Sequence, residues 1–244
     1  MSQLPSHRPW PVPAKPWIMR MQWCDLLFAH WLADPAVLRK LLPEGLEVDL
    51  FDGRAYVAAV PFQMEGVSPR LAPNVPGLHA FPELNLRTYV TAGGKPGVWF
   101  FSLDAGQRLA VRVARSLFHL PYFDARFQIS ELEKGISYTA ERTHRGAPGA
   151  EFAATFRPTG SVYRSTPGTL ESWLTERYCL YSADRAGHLY RGEIDHAPWP
   201  LQTAEADVRV NTLGDWLGIE MKGPPATLHF AKALDVRAWL LERV

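Results

Sequence analysis

Three turn signals, each set between segments in which apolar and polar residues alternate, constrain the fold of this chain more than any other feature. Asp52-Gly53 predicts a hairpin between residues 46–50 and 54–62, because a type I′ turn needs positive φ at both central positions. The other two signals are glycine-containing turns at 93–96 and 133–135. Their flanking strands, and further strands predicted along the chain, span residues 83–91, 97–104, 125–132, 136–143, 151–157, 189–194, 206–210 and 226–230. Antiparallel sheet is therefore predicted for most of the chain.

Helical patterns are fewer than strand patterns. Asp34-Pro35 combines a helix N-cap with a proline at the first helical position, and this predicts a short helix that ends before Pro43. Residues 105–119 predict a second helix, and residues 167–180 predict a third. The apolar stripe predicted for the second helix consists of Leu109, Ala110, Val113, Ala114 and Leu117. The fold class is therefore α+β and β-dominated, a large curled antiparallel sheet with a few helices outside it.

The length and the charge of the chain bound its organisation and its partners. The 244 residues fit one domain, predicted at 18–244 after a proline-rich N-terminal arm at 1–17. A formal net charge of +1 gives no electrostatic reason to expect nucleic acid or an anionic membrane as a partner. Cys24 and Cys179 are too few for a disulfide framework and too isolated for a zinc site. Because no secretory signal or membrane-spanning run is present, we expect a cytoplasmic protein, and the sequence leaves open whether it forms a homo-oligomer.

Polar residues alternate along the segment 83–89, which carries the most functional information. In a strand, these side chains share one face and form a polar row of Glu83, Asn85, Arg87 and Tyr89. With a four-residue loop at 93–96, Tyr89 opposes Phe100, Arg87 opposes Ser102, and Asn85 opposes Asp104. This register predicts a single patch formed by the polar row together with Phe100, Ser102 and Asp104. A one-residue change in loop length would reverse every assignment on the second strand.

Two interpretations of the polar row compete. In the first, it is the solvated face of an ordinary sheet, and its side chains satisfy one another in cross-strand pairs. In the second, it is the wall of a pocket, because the neighbouring aromatic segment Trp99-Phe100-Phe101 indicates that this part of the sheet is covered on both faces. Covered polar groups need hydrogen-bond partners, which a ligand can supply.

Several blocks of the sequence resemble the YqjF-like family, which is uncharacterised and is placed by similarity in the acetoacetate decarboxylase-like superfamily. The blocks are DLLFAHW at 25–31, VPF at 60–62, ELNLRTYV at 83–90, GVWFFSLDA at 97–105, LPY at 120–122, ERY at 176–178, HAPWPL at 196–201 and LHFA at 228–231. They extend from about residue 20 to the C-terminus in a specific order. The resemblance implies the superfamily's fold, a curled β-barrel with an enclosed central cavity.

The resemblance also shows a departure from the decarboxylases, whose reaction passes through a lysine Schiff base. Their motif places two lysines after a proline, whereas Tyr122 and Phe123 follow Pro121 at the similar positions here. The lysines of this chain, none of which lies in a segment that would obviously replace the missing ones, are Lys15, Lys40, Lys95, Lys134, Lys222 and Lys232. Glu83 resembles the superfamily's active-site glutamate. Schiff-base decarboxylation is therefore disfavoured, whereas a pocket is not.

Three residues outside the polar row are further candidates for the pocket. Tyr122 is either a phenol donor or an aromatic that fills the volume of the missing lysine. Arg115 could bind a ligand carboxylate through two hydrogen bonds, whereas Arg108 and Arg112 are interpreted as the solvated face of their helix. Arg126 is a second candidate for binding an anion. The histidines lack metal-ligand spacing, and no phosphate-binding loop or hydrolase elbow is present, so neither a metal nor a cofactor is predicted.

Three hypotheses for function follow from these residues. The first is an enzyme that acts on a small, carboxylate-bearing organic substrate, with Glu83 as acid/base, Arg87 as anion anchor and Tyr122 as donor. The ligand-binding residues would be Asn85, Tyr89, Phe100, Ser102, Asp104, Arg115 and Arg126. The second hypothesis is a non-enzymatic protein that binds a small apolar or acidic ligand. The third is a structural role in which Glu83 and Arg87 form a buried ion pair.

Overall fold

The computed structural model describes residues 7–71 and 79–244, which form thirteen strands and three α-helices. The strands are β1 (Met19–Ala33), β2 (Glu47–Val48), β3 (Ala55–Pro69), β4 (Phe81–Ala92), β5 (Lys95–Ala105), β6 (Tyr122–Leu132), β7 (Gly135–Arg142), β8 (Glu151–Pro158), β9 (Cys179–Ala183), β10 (Leu189–His196), β11 (Leu201–Asn211), β12 (Thr227–Ala238) and β13 (Glu242–Arg243). The helices are α1 (Pro35–Leu41), α2 (Arg108–Phe118) and α3 (Leu170–Thr175). The β-dominated fold class is confirmed.

The strand pairings close into two circuits that share one wall. The shared wall consists of β12, β1, β3, β4 and β5 in that order. At one end β5 pairs with both β6 and β9, and at the other end β12 pairs with both β10 and β11. The pocket circuit closes through β9 and β10, and the core circuit closes through β6, β7, β8 and β11. The curled sheet is therefore covered on both faces of its central wall.

The residues of β3 show why this wall forms. Residues 55–62 are buried without exception, as expected for a strand that has a covered sheet on each side. Val57 and Ala59 pack in the cluster inside the core circuit, whereas Ala58 and Val60 pack in the cluster inside the pocket circuit. Small and branched apolar residues thus alternate between two separate cores.

Two of the three predicted hairpins are present, β4–β5 and β6–β7, whereas the predicted hairpin between residues 46–50 and 54–62 is wrong. Asp52 and Gly53 both have positive φ, as a type I′ turn requires. The turn is flanked by a single described bridge, between Phe51 and Arg54, and not by a pair of strands. The short strand β2 pairs with β4 instead. The described sheet is antiparallel except at β5, which pairs in parallel with both β6 and β9.

The predicted helices differ from the observed ones at their ends and in one buried face. Asp34 caps α1 by accepting a hydrogen bond from the backbone N–H of Ala36 at 2.8 Å, as predicted. The third helix is shorter than predicted, because the chain leaves α3 at Thr175 and enters β9 at Cys179. In α2 the predicted stripe is wrong at two positions, since Leu109 and Leu117 are 50% and 62% exposed.

The N-terminal segment packs against strand β10. Residues 1–6 of the predicted arm lie outside the described residues, and residues 7–17 precede the first strand. Arg8 is buried, and it donates hydrogen bonds to the backbone carbonyl of Ile194 at 2.6 Å and to the Asp195 carboxylate at 3.1 Å. Trp10 donates to Glu193 at 2.8 Å. The segment is therefore held against β10 by charged and aromatic side chains.

Candidate functional site

A cavity of about 270 Å³ lies inside the pocket circuit, closed on one side by α2. Its lining is mostly apolar and includes Met19, Met21, Trp23, Phe62, Met64, Val67, Phe81, Phe100, Leu103, Ala114, Phe118, Trp199, Trp239 and Leu241. Its polar lining residues are Glu83, Asn85, Arg87, Tyr122, Thr175, Arg177, Glu193 and His196. A volume at the small end of ligand pockets, with a few convergent polar groups on an apolar background, is typical of a small-molecule site.

Strand β4 places the first three residues of the polar row in this cavity. Glu83 pairs with Phe62, Asn85 with Val60, and Arg87 with Ala58, so these side chains project on the pocket side of the wall. The intervening residues Leu84 and Leu86 are buried in the core circuit. The alternation read from the sequence is thus observed, and the row is covered rather than solvated.

Glu83 is a buried carboxyl that has no cationic partner among the described residues. The Tyr122 hydroxyl donates a hydrogen bond to Glu83 Oε2 at 2.8 Å, and the Asn85 side chain also donates to this carboxyl. Burial raises the pKa of Glu83 from 4.5 to about 7, and the two hydrogen bonds oppose that rise only in part. At neutral pH the group therefore exists in both protonation states, which suits a general acid or base.

Arg87 is a cation without an acidic partner among the described residues. Its guanidinium lies 5.1 Å from the ring centroid of Phe28, and it donates a hydrogen bond to the Tyr89 hydroxyl. Its Nε is buried and has no hydrogen-bond partner in the described part of the chain. The ion pair with Glu83 that the structural hypothesis requires is not among the salt bridges of residues 7–71 and 79–244. The guanidinium is therefore available to an anionic ligand.

Tyr89 lies behind Arg87 rather than in the cavity lining. Its hydroxyl is 2.6 Å from Nε2 of His30, whose Nδ1 lies 3.2 Å from the Thr227 hydroxyl. Burial and then the charge of Arg87 hold the pKa of His30 well below 6.5, so this imidazole is neutral. Tyr89 is thus placed to orient the guanidinium and not to contact a ligand directly.

Arg177 and Glu193, two charged residues to which the sequence patterns assigned no role, line the cavity at the same end as Arg87. Arg177 binds Asp49 through Nη1 at 2.6 Å, and its buried Nη2 has no partner among the described residues. Glu193 is neutralised by Lys95 at 2.5 Å and by Arg191 at 3.2 Å. The block at 176–178 was identified in the sequence, but nothing in its spacing predicts that the fold brings it close to the polar row of β4. Two guanidiniums with unpartnered donors therefore face this end.

The predicted register of the β4–β5 hairpin is wrong. The turn contains two residues, Gly93 and Gly94, so Arg87 pairs with Phe100. A bulge between this pair and the next then shifts the register by one residue, and Asn85 pairs with Leu103. Phe100 consequently stays in the cavity lining. Beyond the bulge every side chain of β5 is reversed relative to the prediction.

Because of this bulge, Ser102 and Asp104 lie on the core side of the wall. The Asp104 carboxylate accepts hydrogen bonds from Arg142 Nε at 2.6 Å and Nη2 at 2.8 Å. Both side chains are at most 2% exposed. Asp104 is therefore part of a closed ion pair, and neither it nor Ser102 contributes to the cavity.

The remaining arginine candidates also lie outside the cavity lining. Arg115 is exposed, and it donates to the backbone carbonyl of Tyr122 at 2.6 Å. Arg126 lies on the outer surface with its side chain 67% exposed, 3.2 Å from Glu141. The strand β6 alternates, and Arg126 falls on its solvated face. Arg115 supports the position of Tyr122, and Arg126 has no geometric relation to the site.

The described lining of the cavity offers few groups for metal binding or for catalysis by a lysine. No cluster of three or more metal-ligating side chains occurs in residues 7–71 and 79–244. No lysine belongs to the described lining of the cavity. Lys95 contacts the lining residue Glu193, and its ammonium group is held in that ion pair. The Cys179 thiol lines the cavity, and burial raises its pKa to about 12, so it is not a thiolate nucleophile. In the described part of the chain, no helix has the length and apolar character needed to cross a bilayer.

Comparison with known sequences gives one family and one curated relative. The DUF2071 family model, described as an uncharacterized conserved protein, matches residues 20–235. The protein YqjF of Bacillus subtilis (strain 168), itself described as uncharacterized, is 46% identical over 232 residues, which are 95% of each chain. The resemblance read from the sequence blocks is therefore confirmed.

Comparison with solved structures gives the fold. An acetoacetate decarboxylase from Legionella pneumophila has a TM-score of 0.64 at 15% identity, over 97% of this chain and 92% of that chain. The enduracididine biosynthesis enzyme MppR, in complex with pyruvate, has a TM-score of 0.60 at 14% identity, over 98% and 94% of the two chains. Identities this low show the fold alone. The acetoacetate decarboxylase-like fold is thus confirmed.

Proposed function

The chain belongs to the DUF2071 family, and from this premise we propose that its cavity binds a small organic carboxylate and that Glu83 transfers protons to and from the bound molecule. The observation that carries the proposal is the pairing of a buried carboxyl, whose pKa is raised to about 7, with a guanidinium that has no acidic partner among the described residues. Both groups project from β4 into one mostly apolar cavity.

Arg87 is the proposed anchor for the ligand carboxylate. A planar guanidinium matches a carboxylate through two parallel hydrogen bonds, and its Nε has no other partner in the described residues. Arg177 lines the same end and has an unpartnered Nη2 among the described residues, so it adds a second hydrogen-bond donor although its charge is paired with Asp49. The apolar surroundings strengthen this attraction, because they exclude water from the charges.

Glu83 is the proposed acid/base. In its carboxylate form it takes a proton from the carbon next to a ligand carbonyl, and the electron pair of the broken C–H bond moves toward the carbonyl oxygen. The protonated Glu83 then returns its proton to the enolate oxygen, which gives the enol isomer, or exchanges it with solvent water and returns the new proton to carbon. The net reaction is therefore isomerisation or proton exchange with water. The Tyr122 hydroxyl donates to Glu83 Oε2 and favours the carboxylate that forms in each cycle.

The structural neighbours support a carbonyl-containing acid as the ligand. One of them is an acetoacetate decarboxylase and another is an enzyme in complex with pyruvate, so this fold accommodates small keto acids elsewhere. The Schiff-base route of the decarboxylases is not proposed for this chain. Tyr122 stands where their lysine is expected from the resemblance, and no lysine belongs to the described cavity lining. Acid–base chemistry at Glu83 needs no amine.

Proton exchange in D₂O tests the proposal directly. Purified protein is incubated with a panel of 2-keto, 3-keto and hydroxy acids, and the loss of the C–H signal next to the carbonyl is followed by NMR. We expect exchange with at least one bound acid, lost in Glu83→Gln and unchanged in Glu44→Gln, a control on the exposed surface. Exchange that persists in Glu83→Gln would contradict the assigned role.

The alternative is a non-enzymatic carboxylate-binding protein, and one observation favours it. Lining residues in the described part of the chain include no lysine, no thiolate and no metal cluster, so the only reactive group proposed is Glu83. Isothermal titration calorimetry on the same panel distinguishes the two. Saturable binding that depends on Arg87, without exchange of any ligand proton, would establish the binding protein.

A further inference from the structure

The polar and apolar residues of the cavity are separated along its length. The polar row follows β4 from Arg87 to Glu83. Beyond Glu83, the next residue of β4 in the lining is Phe81, which pairs with Met64 of β3. From Met64 the lining continues along β3 to Val67 and Pro69, without a charged residue among those described.

The two ends of the cavity differ in exposure as well as in polarity. At the polar end, the lining residues Thr175, Arg177 and His196 are between 3% and 6% exposed. At the apolar end, Met19 pairs with Pro69 on one side and with Ala238 on the other, and Met19 is half-buried while Pro69 is exposed. The charged end is therefore the inner end, and the apolar end leads to the surface.

Helix α2 covers the apolar part of this path. It turns Ala110, Ala114 and Phe118 toward the cavity, whereas Leu109 and Leu117 face outward. The two alanines line the cavity together with methionines at positions 19, 21 and 64. The unbranched side chains of these methionines adapt to apolar groups of different shape. A ligand that uses only the charged end would leave this whole surface uncontacted.

We propose that the ligand of this cavity is an amphipathic carboxylate, with its charged end at Arg87 and an apolar chain or ring that extends past Glu83, under α2, to the ends of β1 and β3. This inference rests on the proposed function and deepens it by naming the ligand class. Its own evidence is the charge-free lining from Phe81 to Pro69, which a keto acid of three or four carbons would not reach.

A series of straight-chain alkanoates tests the inference. Butanoate, hexanoate, octanoate and decanoate are titrated into the full-length protein by calorimetry, below their micelle concentrations. Each methylene that enters the cavity contributes ~0.8 kcal/mol, so we expect affinity to rise about four-fold per added CH₂. Decanol, which has the same tail without the charge, should bind more weakly than decanoate. Equal affinity for butanoate and decanoate would overturn the inference.

Variants of α2 locate the tail. Ala114→Trp places a large side chain in the part of the cavity that α2 lines, and we expect it to lower decanoate affinity at least ten-fold while butanoate affinity stays within two-fold. Leu109→Trp, an exposed site on the same helix, should change neither affinity. If Ala114→Trp does not fold, Ala114→Leu gives a smaller change in the same direction. An equal loss for both acids would overturn the placement of the tail.

The failure of this inference differs from the failure of the proposed function. If short keto acids bind through Arg87 and longer tails add nothing, the proposed function stands and the amphipathic ligand is rejected. If decanoate binds and Arg87→Met leaves its affinity unchanged, the apolar path is supported and the carboxylate anchor is rejected. If no acid of either series binds, both proposals are rejected.

Discussion

Two buried carboxyls on adjacent strands of one wall, Glu83 and Asp104, have opposite surroundings. Asp104 faces the core circuit, where Arg142 binds both of its oxygens at 2.6 and 2.8 Å. Glu83 faces the cavity, where it receives hydrogen bonds from Tyr122 and Asn85 but contacts no cation among the described residues. The nearby cation, Arg87, has likewise no described acidic partner. On the core side of the wall, the buried carboxylate is paired with a cation. On the cavity side, the buried carboxyl and the guanidinium each lack a described partner of opposite charge.

The difference separates a structural role from a functional one. A buried charge pair that is closed on itself holds two elements together, and it offers nothing to a ligand because its donors and acceptors are occupied. Open charges cost stability in the empty protein, and this cost is offset only when a ligand supplies the missing partner. Perturbed groups of this second kind concentrate at functional sites.

Breaking the closed pair should have the largest effect. Arg142→Met leaves the Asp104 carboxylate buried without its cation, and we expect it to lower the free energy of unfolding by about 3–5 kcal/mol. Urea denaturation measures the change. The double variant Asp104→Leu/Arg142→Met removes both charges and should recover part of the loss. A loss below ~1 kcal/mol for Arg142→Met would erase the distinction between the two faces.

The Glu83 carboxyl, which has no described cationic partner, should make the free energy of unfolding depend on pH. Because the pKa of Glu83 is about 7 in the folded state and its ordinary value is 4.5, the folded state keeps this proton between those pH values while the unfolded state releases it. Stability from this group is therefore full below pH 4.5 and falls as pH rises through 7, by ~3 kcal/mol at 1.36 kcal/mol per unit.

The measurement is the difference between the wild type and Glu83→Gln in urea unfolding at pH 4.5, 6 and 8. The buried His30, His196 and His229 have lowered pKa values and give the opposite trend, since their neutral forms are favoured as pH rises through 6.5. Both proteins share those histidines, so the difference isolates Glu83. A difference that does not change with pH would show that Glu83 is not held in a site of this kind.

The sequence predicted one strand of this wall well and its partner poorly, for a physical reason. The alternation along β4 depends only on the period of a strand, so the side of the wall that Glu83, Asn85 and Arg87 face could be inferred. The positions on β5 depend on the loop length and on a bulge near Phe100. A two-residue error in loop length preserves the face of each residue, but a bulge reverses it. Asp104 was misplaced for this reason.

Other errors share a long-range cause. Strand β1, which belongs to the shared wall, was not predicted, although its residues 26–31 form a continuous buried run. Such a run is ambiguous without knowledge of the sheets on both sides. Arg177 reaches the cavity only because β9 pairs in parallel with β5. Local patterns cannot specify such pairings, and the exposed faces of α2 and β6 were misread in the same way.

The open cation should affect binding more than folding. Arg87→Met removes a charge that has no described acidic partner, so we expect the free energy of unfolding to change by less than ~1 kcal/mol. A hydrogen bond to a charged ligand contributes about 1.5–3 kcal/mol, and carboxylate affinity should therefore fall roughly 10- to 150-fold. Calorimetry and urea denaturation on the same variant test both statements. A loss of stability as large as that of Arg142→Met would show that Arg87 is structural.

The smallest expected effect comes from two tyrosines that contact Glu83 from opposite sides of the wall. Tyr122 donates to the Glu83 carboxylate in the cavity, whereas Tyr138 donates to the Glu83 backbone carbonyl from the core circuit at 2.8 Å. Both Tyr122→Phe and Tyr138→Phe should cost about 0.5–1.5 kcal/mol of stability, because each removes one hydrogen bond. Only Tyr122→Phe should raise the pKa of Glu83 above about 7, since it alone removes a bond that favours the charged form. NMR titration of ¹³C-labelled glutamate measures that pKa in both variants. Equal shifts in the two would mean that the carboxylate responds to general loosening of the wall and not to the cavity hydroxyl.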